Sequence, residues 1–520
     1  MPIYAKRSRV PRTAARVFPT PTGMPLAMRK CIAECRLRRG APERSEDSEV
    51  NFRGAHTVRG TARVFAVLAV LAVGGCSFAT YEPAGGEPFL LYTLTLTDAH
   101  LRVVHVNGTV IGASPRRVVL RSIGDASGKR CEPIALGAID RDGARLPLDA
   151  RDGVWIVDNR GKDFSFAYDV VLTIESRSAP DVRDMITFIG VDRCRILGRD
   201  VFLIPELPVA DGIIVDAALA PGWKLAASAP TVRSRIIVHA LDELPVTLVV
   251  SGAYRHLARD VGGSELLLAI AGTWSFGDEE FFDVVSRIVS EEIALFGASP
   301  RSRYLFVCDA NPVQGSERFD YYGIHYGGSM LLLLDRKLDR SELMDSPMAI
   351  VAHEFFHTWN GEALGPAGDA FLWFTEGVTV YYSYRVLVGA NVITDEQYGR
   401  RRQAIYERYR ANPYVATVPI GEAANSDMHD KHMVNLLYDG GFLAAEALDA
   451  RLRDETGGRV SLIDVLKRMY EDTGGTGPVD EPLFLRAASE LSGKDFSGIV
   501  LLLVHTPAPE PLASHSSSLE

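Results

Sequence analysis

The spacing of apolar positions changes twice along the chain. Between about residues 85 and 250 the period is two. Tyr92-Thr-Leu-Thr-Leu-Thr97 alternates, Asn107-Gly108 sits between the runs 101–106 and 109–111 as a hairpin turn would, and strand-like runs follow at 164–174, 234–240 and 246–250. This pattern predicts an all-β domain in the form of a sandwich. Around Phe281 the period lengthens to 3.6: Phe281, Phe282, Val285, Ile288 and Val289 share one face of an amphipathic helix with a glycine stop at Gly297. Residues 304–307 and 330–334 read as buried strands, and from Ser346 onward the pattern is predominantly helical. No repeat of solenoid period is visible, and the Pro- and Ser-rich tail after about Thr506 reads as disordered.

The start of the chain follows neither period. Up to about His56 it is rich in Arg, Pro and Ser, after which Arg59 and Arg63 precede an apolar run, 64–73, ending in Gly74-Gly75-Cys76. Spanning a bilayer takes about 20 apolar residues, so the run has the length of a signal-peptide core instead. Small residues before Cys76 resemble a bacterial lipobox, with Val73 where Leu is more usual. The expectation is cleavage before Cys76, lipidation of its thiol, and a mature protein tethered in a bacterial cell envelope, facing the periplasm or exterior. A signal so far from Met1 suggests a translation start near Val58.

Composition sharpens this division. The 520 residues carry a formal charge of −10, with 47% hydrophobic and 23% charged residues, which excludes a disordered chain and suggests several domains. The first 75 residues hold 14 basic and 5 acidic side chains, so the remainder carries −19. Such an acidic body argues against nucleic-acid binding, while attachment through acyl chains needs no basic surface. Beyond Cys76 the cysteines are Cys131, Cys194 and Cys308, too few for a disulfide framework, although Cys131 and Cys194 could pair in an exported protein. Cys31 and Cys35 lack zinc-type spacing.

The helical part carries the chemistry. Ser346-Pro347 reads as a helix cap and first helical residue, and the helix is expected to run through His353-Glu354-Phe-Phe-His357 to Asn360 and stop at Gly361. Residues four apart share a helix face, so His353 and His357 can aim both imidazoles at one metal ion with Glu354 beside it. In 371–382 an acid, Glu376, stands in an otherwise apolar stretch, 19 residues beyond His357. A buried carboxylate is costly unless paired or metal-bound, and His, His, Glu is a catalytic zinc shell with a fourth position open. Glu354 would then take the proton of the attacking water.

The strings HEFFHTWN (353–360) and FLWFTEGVTVYY (371–382) resemble the glycyl aminopeptidase family of gluzincin, thermolysin-like zinc metallopeptidases. Similarity also extends to Pro221-Gly-Trp223, Leu241-Asp-Glu-Leu-Pro245, Leu437-Tyr438-Asp-Gly-Gly441 and Ser492-Gly-Lys-Asp-Phe496, covering about 85–505. The resemblance implies one zinc per chain on His353, His357 and Glu376, Glu354 as general base, Tyr438 as the oxyanion-stabilising tyrosine, and a peptide or protein substrate. It also implies an α+β multidomain fold, with a β-sandwich over 85–252, a thermolysin-like α/β catalytic domain over 253–395 and a helical domain over 396–505.

Three departures from the family pattern stand out. His325, in Gly323-Ile-His-Tyr-Gly-Gly-Ser329, falls where relatives place a glutamate that holds the substrate's amino terminus, and a neutral imidazole cannot replace it. Gly440 stands where a lysine usually follows the tyrosine. The chain also ends at Glu520, too soon for the PDZ domain of many relatives, so none is expected. Gly327 and Gly328 would either admit substrate backbone along a strand edge or form a plain turn. His429 and His432 read as a solvated loop, without a third ligand nearby. The function expected is peptide hydrolysis, with aminopeptidase action favoured over endopeptidase action. The alternative is a noncatalytic or narrowly specialised zinc-binding envelope protein on the same scaffold.

Overall fold

Alternating residues do build strands in the N-terminal part. In Phe89–Leu96, Tyr92, Leu94 and Leu96 are buried while Thr93 and Thr95 lie half-exposed between them. The computed structural model describes residues 88–96, 103–112, 114–123, 131–151, 153–172, 186–208, 212–311, 321–425 and 430–507. The signal-like segment with Cys31, Cys35 and Cys76, His429, and the end of the tail lie outside the described residues.

Phe89–Leu96 sits within a seven-stranded sheet, pairing antiparallel with Val103–Ile111 and parallel with Ile213–Leu219. The Asn107-Gly108 pair does not turn. Both residues lie inside Val103–Ile111, with Gly108 opposite Tyr92 on one side and Phe166 on the other. A Cβ on Gly108 would stand 2.1 Å from the Phe166 ring, so the glycine admits that ring and long-range pairing overrides the local turn signal. Two four-stranded sheets complete this part, so its strands are distributed over three sheets. Their shared core includes Tyr92, Phe166, Tyr168 and Phe202. Cys131 and Cys194 are separate buried thiols, not a bridge, and Cys131 Sγ donates instead to the Val201 carbonyl at 3.5 Å.

One of the three sheets faces two ways. From Lys224–Ala227, Leu248–Gly252 and Arg193–Leu197, the side chains of Ala227, Val249, Cys194 and Ile196 enter the N-terminal core. Ala226, Leu248, Val250 and Leu197 instead pack on the next sheet. That next sheet has five strands, β1 (Arg255–Val261), β2 (Ser264–Ile270), β3 (Arg303–Ala310), β4 (Tyr322–Tyr326) and β5 (Ser329–Leu334), in the order β1-β2-β3-β5-β4. Its central strands are apolar on both faces. Leu305, Val307, Leu331 and Leu333 meet the N-terminal sheet, while Phe306, Met330, Leu332 and Leu334 meet helices. Asp309 of β3, fully buried, joins the two parts by accepting from Arg193, Arg195, Tyr254 and the Ala310 N–H.

The helices that bear on the site are α1 (Asp278–Phe296), α2 (Ser346–Phe356), α3 (Leu372–Gly389), α4 (Asp395–Arg410) and α5 (Lys431–Thr456). As expected, α1 ends on Gly297 in the left-handed region, whose N–H returns to the Ile293 carbonyl. The architecture is therefore mixed α+β, with several sheets and a helical C-terminal region. Among the described residues, no helix is long and apolar enough to cross a membrane.

Candidate metal centre

Ser346 is the first residue of α2 and Pro347 the second, one position inside the expected start, with Asp345 at the cap. The helix also ends sooner than its apolar period suggests. After Phe356 the chain widens into a π-helical turn over Thr358–Ala363, closed by the Glu362 N–H donating to the His357 carbonyl at 2.8 Å. Gly361 makes this possible with φ near 150°, and a Cβ there would stand 3.0 Å from His357 Nδ1. Trp359 anchors the turn by stacking on Phe296 and donating to the Ala298 carbonyl.

This geometry fixes the ring of His357. Its Nδ1 lies 2.9 Å from the Asn360 carbonyl, which can only accept, so Nδ1 is the donor in that bond and Nε2 is the nitrogen left facing the cluster. His357 Nε2 is 3.0 Å from His353 Nε2, and Glu376 Oε2, from α3, is 3.3 Å and 3.6 Å from the two nitrogens. His353, His357 and Glu376 are the single group of potential metal ligands found among the described residues.

Those separations decide what the cluster fits. Donors about 2.0–2.1 Å from a common zinc ion at tetrahedral angles would stand about 3.3–3.4 Å apart, the average of the three measured edges. Glu376 Oε2 is buried with no aligned hydrogen-bond donor, as a ligand atom would be. Burial would raise the Glu376 carboxyl, but the His357 charge and the close approach of both imidazoles hold it well below the usual range. Burial would lower His357, yet the Glu376 carboxylate beside it drives it upward. A site that favours a carboxylate and a positive charge in contact suits a divalent cation, and two nitrogens with one oxygen suit zinc.

The other site residues fall around this cluster. Gly323 of β4 lies over α2, where a Cβ would meet the Ile350 side chain at 1.9 Å and Glu354 Cγ at 3.3 Å. The edge strand is thereby pressed against the helix beside Glu354. Tyr438, on α5, stacks at 6.1 Å from the His353 ring, and its hydroxyl is held well above its ordinary pKa by burial, then by Glu376 and Glu354. The approach of α5 depends on two glycines. A Cβ on Gly377 would stand 2.3 Å from Gly441 backbone, and one on Gly441 would stand 2.7 Å from the Trp373 carbonyl. Sequence reasoning missed this contact, since neither residue has a chemical role. Gly440 likewise has a packing reason: Ile420 and Tyr409 fill the space a side chain would need.

His325 is buried. Its Nδ1 is 2.8 Å from the Tyr304 hydroxyl and its Nε2 is 3.4 Å from Glu362, which also takes two bonds from Arg301. Glu362 was not singled out from the sequence, because its link to His325 is non-local. Gly327 and Gly328 form the two-residue turn between β4 and β5, both with positive φ, and pack against Val246 and Arg301. The turn is sufficient to account for both glycines. His432 opens α5, with its N–H on Asp430 and its carbonyl on Asn412.

The M61 glycyl aminopeptidase family model matches residues 346–439, the span from the start of α2 to just past Tyr438. The match is confined to that segment, 94 of the 520 residues, where the chain resembles the M61 glycyl aminopeptidase family. No curated protein matches it in sequence. Among solved structures, an aminopeptidase N family protein from Idiomarina loihiensis is similar with a TM-score of 0.70 at 17% identity, over 82% of this chain and 78% of that one. The M1 zinc metallopeptidase from Deinococcus radiodurans is similar with a TM-score of 0.51 at 15% identity, over 82% of this chain and 95% of that one. At such identities the likeness is one of fold, and the fold around the M61 segment is aminopeptidase-like.

Proposed function

We propose that this M61 protein is a zinc-dependent peptidase that removes residues from the amino ends of peptides, with one zinc held by His353, His357 and Glu376. The observation that carries the reading is the ligand triangle, whose edges of 3.0, 3.3 and 3.6 Å fit a tetrahedral zinc shell with one position open. When bound, the ion supplies Lewis-acid polarisation of a water and of the scissile carbonyl. Glu354 takes the proton of the attacking water and passes it to the leaving amine, and the Tyr438 hydroxyl, still protonated at neutral pH, donates to the oxygen on which charge develops. The edge strand β4, lying over α2 beside Glu354, offers an extended peptide a row of backbone groups. The Deinococcus radiodurans enzyme has been solved, in a substituted form, with a Tyr-Ser-Ala substrate, and that precedent supports an amino-terminal tripeptide as a first probe.

Within this reading, residues 85–252 are an all-β domain, whose three sheets replace the two of the expected sandwich, 253–395 are a thermolysin-like catalytic domain and 396–505 a helical one. Cys76 lipidation places the enzyme in a bacterial envelope, on the strength of its lipobox-like string.

Glu354→Gln tests the chemistry. It is expected to keep near-stoichiometric zinc and lose at least about a hundredfold in turnover. Full activity in that variant would remove Glu354 as the base, and a parent protein without zinc would favour a noncatalytic scaffold. Comparing peptides with free and acetylated amino termini tests the specificity, since equal cleavage of both would remove the aminopeptidase part.

A further inference from the structure

The π-helical turn after α2 contains a residue whose contacts are divided between the two ligand-bearing helices. Asn360 is completely buried. Its backbone carbonyl accepts a hydrogen bond from His357 Nδ1 at 2.9 Å. Its side-chain amide donates to the carbonyls of Phe374 and Thr375, at 3.4 and 3.1 Å, and to Thr379 Oγ1 at 3.1 Å. Two of those three acceptors are carbonyls, so the amide nitrogen and not its oxygen must face them. The three acceptors surround Glu376: Phe374 and Thr375 precede it and Thr379 lies one turn beyond.

We propose that Asn360 is a positioning residue that couples the second metal ligand, His357, to the third, Glu376. The proposal rests on the zinc reading above. The backbone half sets the tautomer and plane of one ligand, and the side-chain half holds the first turns of α3 at the distance that brings Glu376 to the histidines. Partners of this kind govern metal affinity by holding ligands in place before the ion arrives. An aspartate would fit the space but would turn an oxygen towards two carbonyl oxygens, so shape alone cannot substitute.

The full chain, stripped of zinc and titrated with Zn²⁺ against a chromophoric chelator, tests this. Asn360→Ala keeps the backbone bond to His357 and removes the hold on α3. It is expected to raise the zinc Kd by about 10–100-fold and to alter the visible absorption of the Co²⁺-loaded protein. Asn360→Asp is expected to show no rescue. A folded Asn360→Ala protein with unchanged zinc affinity and an unchanged cobalt spectrum, beside a parent that binds zinc, overturns the coupling alone. A parent that takes up no zinc overturns the peptidase reading and this proposal with it. Should Asn360→Ala fail to fold, Thr379→Val removes a single acceptor, and a smaller rise in Kd supports the coupling where an unchanged Kd overturns it.

Discussion

Two of the buried charged clusters among the described residues, around Asp309 and around Glu376, are built on opposite terms. Around Asp309 every valence is used: both oxygens accept from Arg193, with Arg195, Tyr254 and the Ala310 N–H filling the rest. Burial would raise the Asp309 carboxyl, but the Arg195 and Arg193 charges keep it below its ordinary value. Around Glu376, by contrast, three electron-pair donors converge, Glu376 Oε2 has no aligned donor, and His353 Nδ1 has no hydrogen-bond partner. A closed cluster fastens two sheets together, whereas an open one is arranged for something supplied from outside.

Removing the acid from each cluster gives the sharpest contrast. Asp309→Ala takes the carboxylate from the buried Arg195, which cannot shed its charge, and leaves the half-buried Arg193 with Asp192, and is expected to lose about 3–5 kcal/mol of stability by denaturant unfolding. Glu376→Ala in zinc-free protein leaves His357 without the carboxylate that drives it upward and so able to shed its charge, and is expected to cost about 1 kcal/mol or less while abolishing zinc uptake. Equal losses from the two would erase the distinction.

The open cluster also depends on a close helix crossing, which Gly441→Ala would force apart. A loss of about 1–3 kcal/mol is expected, together with weaker zinc binding, because the displaced backbone at Gly377 adjoins Glu376. An unchanged thermal midpoint with unchanged zinc affinity would show that α3 and α5 adjust without it.

The smallest effect concerns Glu362. Burial would raise its carboxyl, but the hydrogen bond and charge of His325, with Arg301, bring it down from 4.5 to about 2. A depressed acid stabilises the fold above its unfolded pKa, so this contribution is complete above pH 4.5 and is lost as the pH falls towards 2. Stability should therefore drop less between about pH 5 and about pH 3 in Glu362→Gln than in the parent. Identical slopes would leave Glu362 without a part in the acid response.

The pairing of His353 and His357 was legible in the sequence because its geometry is local: four residues on a helix put the two together whatever surrounds them. Glu376 was legible as an acid in apolar company, and the 3.6 period located α1 and its glycine stop. Non-local features were not. Asn107-Gly108 carries a strong local turn signal that pairing with Phe89–Leu96 and Phe164–Val171 overrides. The helical period of α2 runs on towards Asn360, but bonds from His357 and Glu362 reshape its last turn. Asn360, Glu362 and the Gly377–Gly441 contact acquire meaning only from residues distant in the chain, which a period or a spacing cannot report.

The sheet containing Arg193–Leu197 and Leu248–Gly252 gives one face to the N-terminal core and the other to the sheet beneath the metal ligands. A layer that belongs to two interiors cannot be peeled from either without exposing both. Trimming the chain to its chemistry-bearing half would thus uncover a broad apolar floor under the ligands. The N-terminal half is accordingly packed as a floor for the sheet that carries the candidate site.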